Sequence, residues 1–349
     1  MKKRITLKKV EPKVSIIIPV HKQANEFKNC LESLSKITYP NYEIIVIADG
    51  PAEQQVQLAK EYSAKIFQIK TPCGPAKARN IGAKNATGDL FFFTDSDVMI
   101  YPETIEKVVQ IFQDHTDIAA VIGSYDDQPS APNFFSQYKN LIHHYVHQTS
   151  NNEASTFWTA CGGIRKNLFW KIGGFDEKYR YPSIEDIEFG YRLKKAGYSI
   201  RLEKSVLVKH LKHWSLISLF KTDFFYRAIP WTDLILSENN FINDLNVKIQ
   251  ERISVALICL LIISFILIQF SPLIIAPIFF CMFLLLALNK ELYLFFYHKH
   301  SSAFTIKSIG WHWFYYFYCA IAFVYVYSLN KCQRVTVGTN LIFKKKQKR

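Results

Sequence analysis

Residues 253–289 contain no charged side chain. A bilayer accepts such a run more readily than water does, and one crossing needs about 20 apolar residues. This run is too long for one ordinary span. Ser271-Pro272 divides it, so two closely linked helices, 253–271 and 273–289, are the simplest arrangement. Pro277 falls near the start of the second, where a proline is tolerated. A third stretch, 309–329, is apolar and dense in aromatics (Trp311, Trp313, Phe314, Tyr315, Tyr316). That composition suits an interface belt or a third crossing. Two full spans plus an interfacial or re-entrant aromatic segment are expected.

The remaining length, out of 349 residues, holds one large domain. The chain is 49% hydrophobic and 15% aromatic, which suits lipid contact, and its formal net charge is +14. Basic residues crowd the two ends (Lys2, Lys3, Arg4, Lys8, Lys9; Lys344, Lys345, Lys346, Lys348, Arg349). No zinc-finger or RNP pattern accompanies them, so an anionic membrane surface or anionic substrate fits better than nucleic acid. Seven cysteines show no CxxC spacing and read as reduced, buried residues of a cytosol-facing protein. The opening MKKRITLKKV imitates the front of a signal peptide. The apolar run that follows is short, comes after Glu11 and contains Pro19, so it reads as a first strand.

Residues 14–20 (VSIIIPV) and 43–48 (EIIVIA) are β-branched runs suited to buried parallel strands. Between them, 24–35 places Phe27, Leu31 and Leu34 at helical spacing, which makes one βαβ unit. A third strand is expected at 65–69, a helix at 76–86, a strand at 89–94 and a helix at 102–112 with Pro102 near its first turn. The first ~125 residues therefore predict a doubly wound, mostly parallel α/β half. Residues 126–133 read as a loop and 134–149 as a helix bearing His143, His144 and His147. Those histidines are a metal site or, with no fourth ligand in sight, a polar rim, and the rim is favoured. Gly173-Gly174-Phe175-Asp176-Glu177 is a tight turn, and a helix starting near Glu185-Asp186 carries acids in its first turn. Residues 214–231 suit an in-plane surface helix or packing against the α/β domain.

The strand Leu90-Phe91-Phe92-Phe93 runs out into Thr94-Asp95-Ser96-Asp97. In open α/β sheets that edge is where ligands bind. Two carboxylates held close repel unless positive charge intervenes, and a divalent metal carrying phosphate oxygens meets that need. The pattern points to a nucleotide or another diphosphate.

Five pieces follow in order: Ile18-Pro19-Val20-His21; Ala48-Asp49-Gly50; Lys77-Ala78-Arg79-Asn80; Asp95-Ser96-Asp97; and Glu185-Asp186 after the Gly-Gly-Phe-Asp-Glu turn. Together they resemble the family 2 glycosyltransferases of the GT-A fold, over ~14 to ~215, and the charge-free tail resembles that family's membrane-anchored members. The resemblance implies a GT-A catalytic domain over 1–235, an amphipathic linker over 236–252 and a membrane region over 253–349. It implies a nucleotide loop at Pro19, Val20 and His21. His21 and Lys22 stand where members more often have an aromatic and then Asn. It implies that Asp49 hydrogen-bonds the donor's base, that Arg79 grips the donor, and that Asp95, Ser96 and Asp97 form the DxD motif. Asp97, with Asp95 and His210, would ligate Mg2+ or Mn2+. Asp186 would be the general base of an inverting displacement, with Glu185 holding the site.

The expected donor is a nucleotide-sugar, UDP-linked by default, and the expected acceptor a hydroxyl of a lipid-linked or cell-surface glycan. The expected place is the inner membrane, with the catalytic half facing the cytosol. An even number of crossings then keeps the basic tail on the cytosolic side. A processive polysaccharide synthase would be expected to carry Gln-x-x-Arg-Trp, of which Arg227-Ala228-Ile229-Pro230-Trp231 is only a loose echo. A non-catalytic scaffold would have lost an acid, and none is missing.

Overall fold

The β-branched runs form the expected strands in the computed structural model, which describes residues 11–21, 24–238 and 244–346. The N-terminal basic cluster (Lys2 to Lys9), Lys22, Lys348 and Arg349 lie outside the described residues. Strands β1 (Val14–Val20) and β2 (Tyr42–Asp49) pair in parallel, Ile16 beside Ile44 and Ile18 beside Val46. Helix α1 (Ala24–Leu34) connects them and buries Phe27, Leu31 and Leu34 as one stripe. Helix α2 (Glu53–Glu61) leads to β3 (Lys65–Ile69), parallel to β2, and α3 (Pro75–Lys84) leads to β4 (Leu90–Phe93), parallel to β1 on its other side.

Helix α3 lies unusually close to the sheet. A Cβ on Gly82 would sit 2.5 Å from Ile17 Cγ2 and 2.6 Å from Ile47 Cδ1. Gly82→Val is expected to lower stability by about 1–3 kcal/mol through overpacking, read as a lower midpoint in chemical denaturation.

The chain continues through β5 (Val98–Ile100), α4 (Thr104–Asp114), β6 (Ile118–Tyr125), α5 (Phe134–Thr149), β7 (Glu153–Ala154), β8 (Gly162–Arg165), α6 (Lys166–Lys171), α7 (Glu185–Lys195) and β9 (Ser199–His210). The strand order is 3-2-1-4-8-6-9-5, with β7 on β9. The expectation of a mostly parallel sheet is corrected here: the sheet is mixed. The pairs β1–β2, β1–β4, β2–β3 and β6–β9 are parallel, while β4–β8, β6–β8, β5–β9 and β7–β9 are antiparallel. The reversal comes from β8, a Gly-Gly-Ile-Arg strand lodged between β4 and β6. Its glycines admit close neighbours, since a Cβ on Gly162 would meet Phe157 Cζ at 2.6 Å and one on Gly163 would meet Val108 Cγ1 at 2.8 Å. Such a strand lacks the β-branched signature that marks β1 and β2.

Strand alternation divides the Phe run. Phe92 joins the aliphatic core with Ile16, Ile18 and Val46. Phe91 and Phe93 face the other way into an aromatic cluster, where Phe93 meets Phe175 at 5.1 Å and Phe175 meets Phe189 at 4.9 Å between ring centroids. Phe175 belongs to the glycine turn and Phe189 to α7. The cluster therefore fixes the acidic start of α7 relative to the end of β4.

These elements make one compact unit, the described residues up to 132 with 147–213; residues 133–146 and the described residues from 214 on make a second. In the second, α8 (Leu216–Lys221) starts at a Ser215–Ser218 capping box and runs through a π-helical turn (Thr222–Ala228) into α9 (Ile229–Glu238). The aromatic 214–231 stretch packs within this unit, Phe220 meeting Tyr318 edge-on at 5.3 Å. Helix α10 (Ile249–Leu267) is long and apolar enough to cross a bilayer. The chain breaks at Ser271-Pro272, and α11 (Ile275–Leu288) then meets α12 (Lys290–Lys299) at a 63° bend, so those two qualify only as a joined pair. The 309–329 stretch lies inside one long helix, α13 (Ser302–Lys346).

Candidate active site

Every candidate residue falls in the first unit, at the ends of strands or the starts of helices. Pro19 and Val20 end β1 opposite Ile47 and Ala48, and His21 projects just beyond. One ring nitrogen of His21 contacts the Asp49 carbonyl, tying the ends of β1 and β2. The Asp49 side chain accepts the N–H of Cys73 at 2.8 Å and of Gly74 at 2.9 Å, one on each oxygen. Gly74 needs to be glycine: its φ is +89°, and a Cβ there would lie 2.3 Å from the Arg180 carbonyl. Asp49 thus fixes the loop that starts α3, and each carboxylate oxygen keeps a lone pair for a ligand.

Arg79, one turn into α3, is the hub. Its side chain is buried; Nη2 donates to Asp95 Oδ1 at 2.6 Å and Nη1 to Glu185 Oε1 at 2.9 Å. Burial pulls the guanidinium down, but Asp95, Glu185 and Asp186 more than offset it and raise its proton affinity above the ordinary value. The arginine therefore stays charged and joins the strand-end acids to the acids of α7. Its Nε, also buried, has no hydrogen-bond partner among the described residues.

The next residue, Asn80, clamps the glycine turn: Oδ1 accepts the Phe175 N–H at 2.9 Å and Nδ2 donates to the Phe175 carbonyl at 2.8 Å. From α7, Arg192 holds the same turn through the carbonyls of Ile172 and Gly174, each at 2.7 Å. The turn delivers the chain to α7. There Ser183 N–H donates to Glu185 Oε2 at 2.9 Å, and Thr159 donates to Asp186 Oδ2 through its N–H at 3.2 Å and its hydroxyl at 3.3 Å. Asp186 remains half-buried, whereas Glu185 is buried against Arg79.

Beyond β4 the chain turns through Thr94, Asp95, Ser96 and Asp97, and β5 pairs Val98 with His210 at the end of β9. This pairing sets Asp97 Oδ2 3.7 Å from His210 Nε2, with the imidazole stacked on Tyr125 at 4.5 Å. Burial pushes the Asp97 carboxyl up; hydrogen bonding and charge from His210, with the charge of Lys212, outweigh it and hold the group below the usual carboxylate range.

Asp97 and His210 lie side by side where both can face one cation, while Asp95 accepts from Arg79 at its Oδ1 and keeps its side chain 33% exposed. Among the described residues no group of three His, Cys, Asp or Glu side chains is placed to hold a metal. The donor set fits a divalent ion that arrives with phosphate oxygens completing its shell, as Mg2+ commonly does. Among the described residues, His143, His144 and His147 are not brought together as a metal-ligating group. His143 contacts Arg227, His144 stacks on Phe295, and His147 contacts the Gly123 carbonyl.

Residues 15–173 match the family model described as glycosyl transferase family 2. The chain carries a family 2 glycosyltransferase domain. An uncharacterized glycosyltransferase of Haemophilus influenzae is 30% identical over 193 residues, covering 52% of this chain and 61% of the relative. Another from Rickettsia typhi is 31% identical over 220 residues, covering 58% and 64%. The chain thus spans less than two thirds of these curated relatives. Among solved structures, the mannosyltransferase PcManGT from Pyrobaculum calidifontis, in complex with GDP-Man and Mn2+, is similar at TM-score 0.55 and 13% identity over 90% of this chain and 88% of that one. S. aureus TarS in complex with UDP-GlcNAc is similar at TM-score 0.50 and 21% identity over 65% and 66%. At these identities the likeness concerns the fold, a mixed α/β sheet shared with GT-A enzymes.

Within the glycosyltransferase domain and the strands that complete its sheet, motif order located the acids but not their supports. Asn80 stood inside the quoted helix start without a role, and Thr159, Tyr125 and Arg192 carried no sequence signal. Their work depends on contacts between segments far apart in the chain.

Proposed function

We propose that the chain is a membrane-bound inverting glycosyltransferase that moves a sugar from a nucleotide-sugar to a hydroxyl of a lipid-linked or cell-surface glycan. The observation that carries this reading is the Arg79 bridge, which joins Asp95 of the DxD motif to Glu185, the neighbour of Asp186, in one buried network. Asp49 accepts the N–H of the donor's base; UDP is the default, since uracil offers a ring N–H. Asp186, half-buried and oriented by Thr159, accepts the proton of the acceptor hydroxyl as that oxygen attacks the anomeric carbon opposite the leaving nucleoside diphosphate. One displacement inverts the centre. Asp97 and His210 would hold Mg2+ or Mn2+, which when bound would supply Lewis-acid stabilisation of the leaving diphosphate. Arg79 and Glu185 hold Asp95 and Asp186 in place.

Exposed apolar side chains support the membrane assignment. Phe270, Leu273 and Phe283 are 75%, 82% and 66% exposed on or beside α10 and α11, where water would disfavour them and lipid would not. We assign 1–235 to catalysis, 236–252 to a linker and 253–349 to the membrane, with the catalytic unit facing the cytosol and its nucleotide-sugars.

The test is a thermal-shift and transfer screen of the purified chain against UDP- and GDP-sugars with Mn2+. The correct donor stabilises the folded chain by mass action, by about 2.7 kcal/mol at 100 times its dissociation constant, and so raises the midpoint. Asp97→Ala is expected to weaken metal-dependent donor binding by about 10–100-fold. An unchanged Mn2+-dependent shift in that variant would remove Asp97 from the donor site, and absence of transfer from every donor would reject the activity.

A further inference from the structure

The second unit encloses a cavity of ≈ 770 Å3 that none of the acidic site residues lines. Its walls combine apolar side chains, among them Ile142 of α5, Ile235 of α9, Val255 of α10, Leu292 of α12 and Phe323 of α13, with a small set of charges, of which Lys139 and Asp223 are buried and Arg227, Glu251 and Arg252 half-buried. Leu260 and Val324, which also line it, are 53% and 61% exposed, so part of its rim is apolar. A closed hydrocarbon core would need no charge here, and burying one is costly unless it is paired.

Lys139, Asp223 and Glu251 have visible partners, and Arg252 also lines the cavity. Lys139 Nζ binds both oxygens of Asp223, at 2.7 and 2.9 Å. The Glu251 carboxylate accepts the Tyr316 hydroxyl at 2.8 Å. Arg227 differs. Its Nη1 meets His143 Nε2 at 3.2 Å, and it forms no ion pair with a carboxylate among the described residues. It projects from the π-helical turn, a local geometry that recurs at functional sites. Burial, offset by Asp223 and reinforced by the charge of Arg227, brings the Lys139 ammonium down to about 8, so the Arg227 charge is felt at Lys139 even with Asp223 bound there.

We propose that this cavity binds a lipid through a phosphate head group on Arg227, with the hydrocarbon chain along Val255, Leu260 and Val324. A guanidinium offers phosphate a planar, two-pronged donor pair that an imidazole cannot saturate. A single lipid chain fits the apolar walls. This deepens the transfer reading above, on which its role as acceptor site rests: a glycan joined to lipid through phosphate would be held here by its anchor. The lipid binding itself does not depend on that reading and is measured without any sugar donor.

The experiment is equilibrium binding of radiolabelled hexadecyl phosphate to the full chain in maltoside detergent, with hexadecanol as the uncharged comparison. Hexadecyl phosphate is expected to bind at least about tenfold tighter than hexadecanol, and Arg227→Gln to weaken it about 10–100-fold while leaving hexadecanol unchanged. Ala256→Trp, which fills the cavity from α10, is expected to weaken both. Variants are compared only where thermal midpoints show a folded chain. Equal binding of the two probes, or of hexadecyl phosphate to wild type and Arg227→Gln, overturns the proposal. Displacement of the probe by an equal mole fraction of dioleoylphosphatidylglycerol would make bulk bilayer lipid the occupant and overturn the acceptor assignment; retention of the probe supports it.

Discussion

Asp186→Asn is expected to lower kcat by about 10²–10⁴ with the KM for the nucleotide-sugar little changed, which is the range for loss of a positioned general base. Asparagine preserves shape and one acceptor oxygen, so the Thr159 contacts at 3.2 and 3.3 Å can persist while the 2.8 Å bond from the Ile187 N–H is given up. It cannot take a proton. Steady-state kinetics over a pH series checks this. Wild type should gain activity as the base ionises, and that rising limb should vanish in the variant. A fall in kcat smaller than about threefold would place the base elsewhere. Glu185→Gln makes the useful contrast. Glu185 is buried against Arg79 rather than open to an acceptor, so its loss should act first on stability.

Much of this arrangement was legible because strand ends are punctuated. The β-branched runs 14–20 and 43–48 gave β1 and β2 within a residue, and 134–149 proved to be a helix with those bounds. Asp95 and Asp97 were expected at a ligand-binding sheet edge because they follow an apolar run, and Asp49 through the family resemblance; the structure puts Asp49 at the end of β2 and Asp95 and Asp97 just beyond β4. The mixed sheet was not legible. Strand β8 is short and glycine-rich, and β5 has only three residues, so neither carries a periodicity that distinguishes it from a loop. Yet β5 pairing with β9 is what sets His210 against Asp97. Arg79 was expected to grip the donor; its two visible partners are acids of the protein itself. A sequence shows that a guanidinium and several carboxylates are present, but which of them meet is decided by long-range packing. Here that packing is the aromatic cluster of Phe93, Phe175 and Phe189.

Arg79→Met should therefore show as a stability defect as well as an activity defect. Methionine replaces the stem without the charge and leaves Glu185, whose side chain is 5% exposed, beside Asp95 and Asp186 with no cation between them. Breaking a buried pair by removing one partner costs about 3–5 kcal/mol. The Glu185 arm accounts for most of that, because the Asp95 side chain is 33% exposed and water screens its share. Chemical denaturation followed by tryptophan fluorescence measures the loss. A double-mutant cycle identifies its cause. If the cost is the stranded carboxylate, Arg79→Met with Glu185→Gln should be less destabilised than the sum of the single variants, with a coupling of about 0.5–3 kcal/mol. Strict additivity would mean that the two residues do not sense each other, and the network joining the DxD turn to the start of α7 would lose its central contact. With the coupling present, the same substitution is expected to lower kcat under conditions where the variant is fully folded, because Asp95 and Glu185, the neighbour of Asp186, then lose the cation that bridges them.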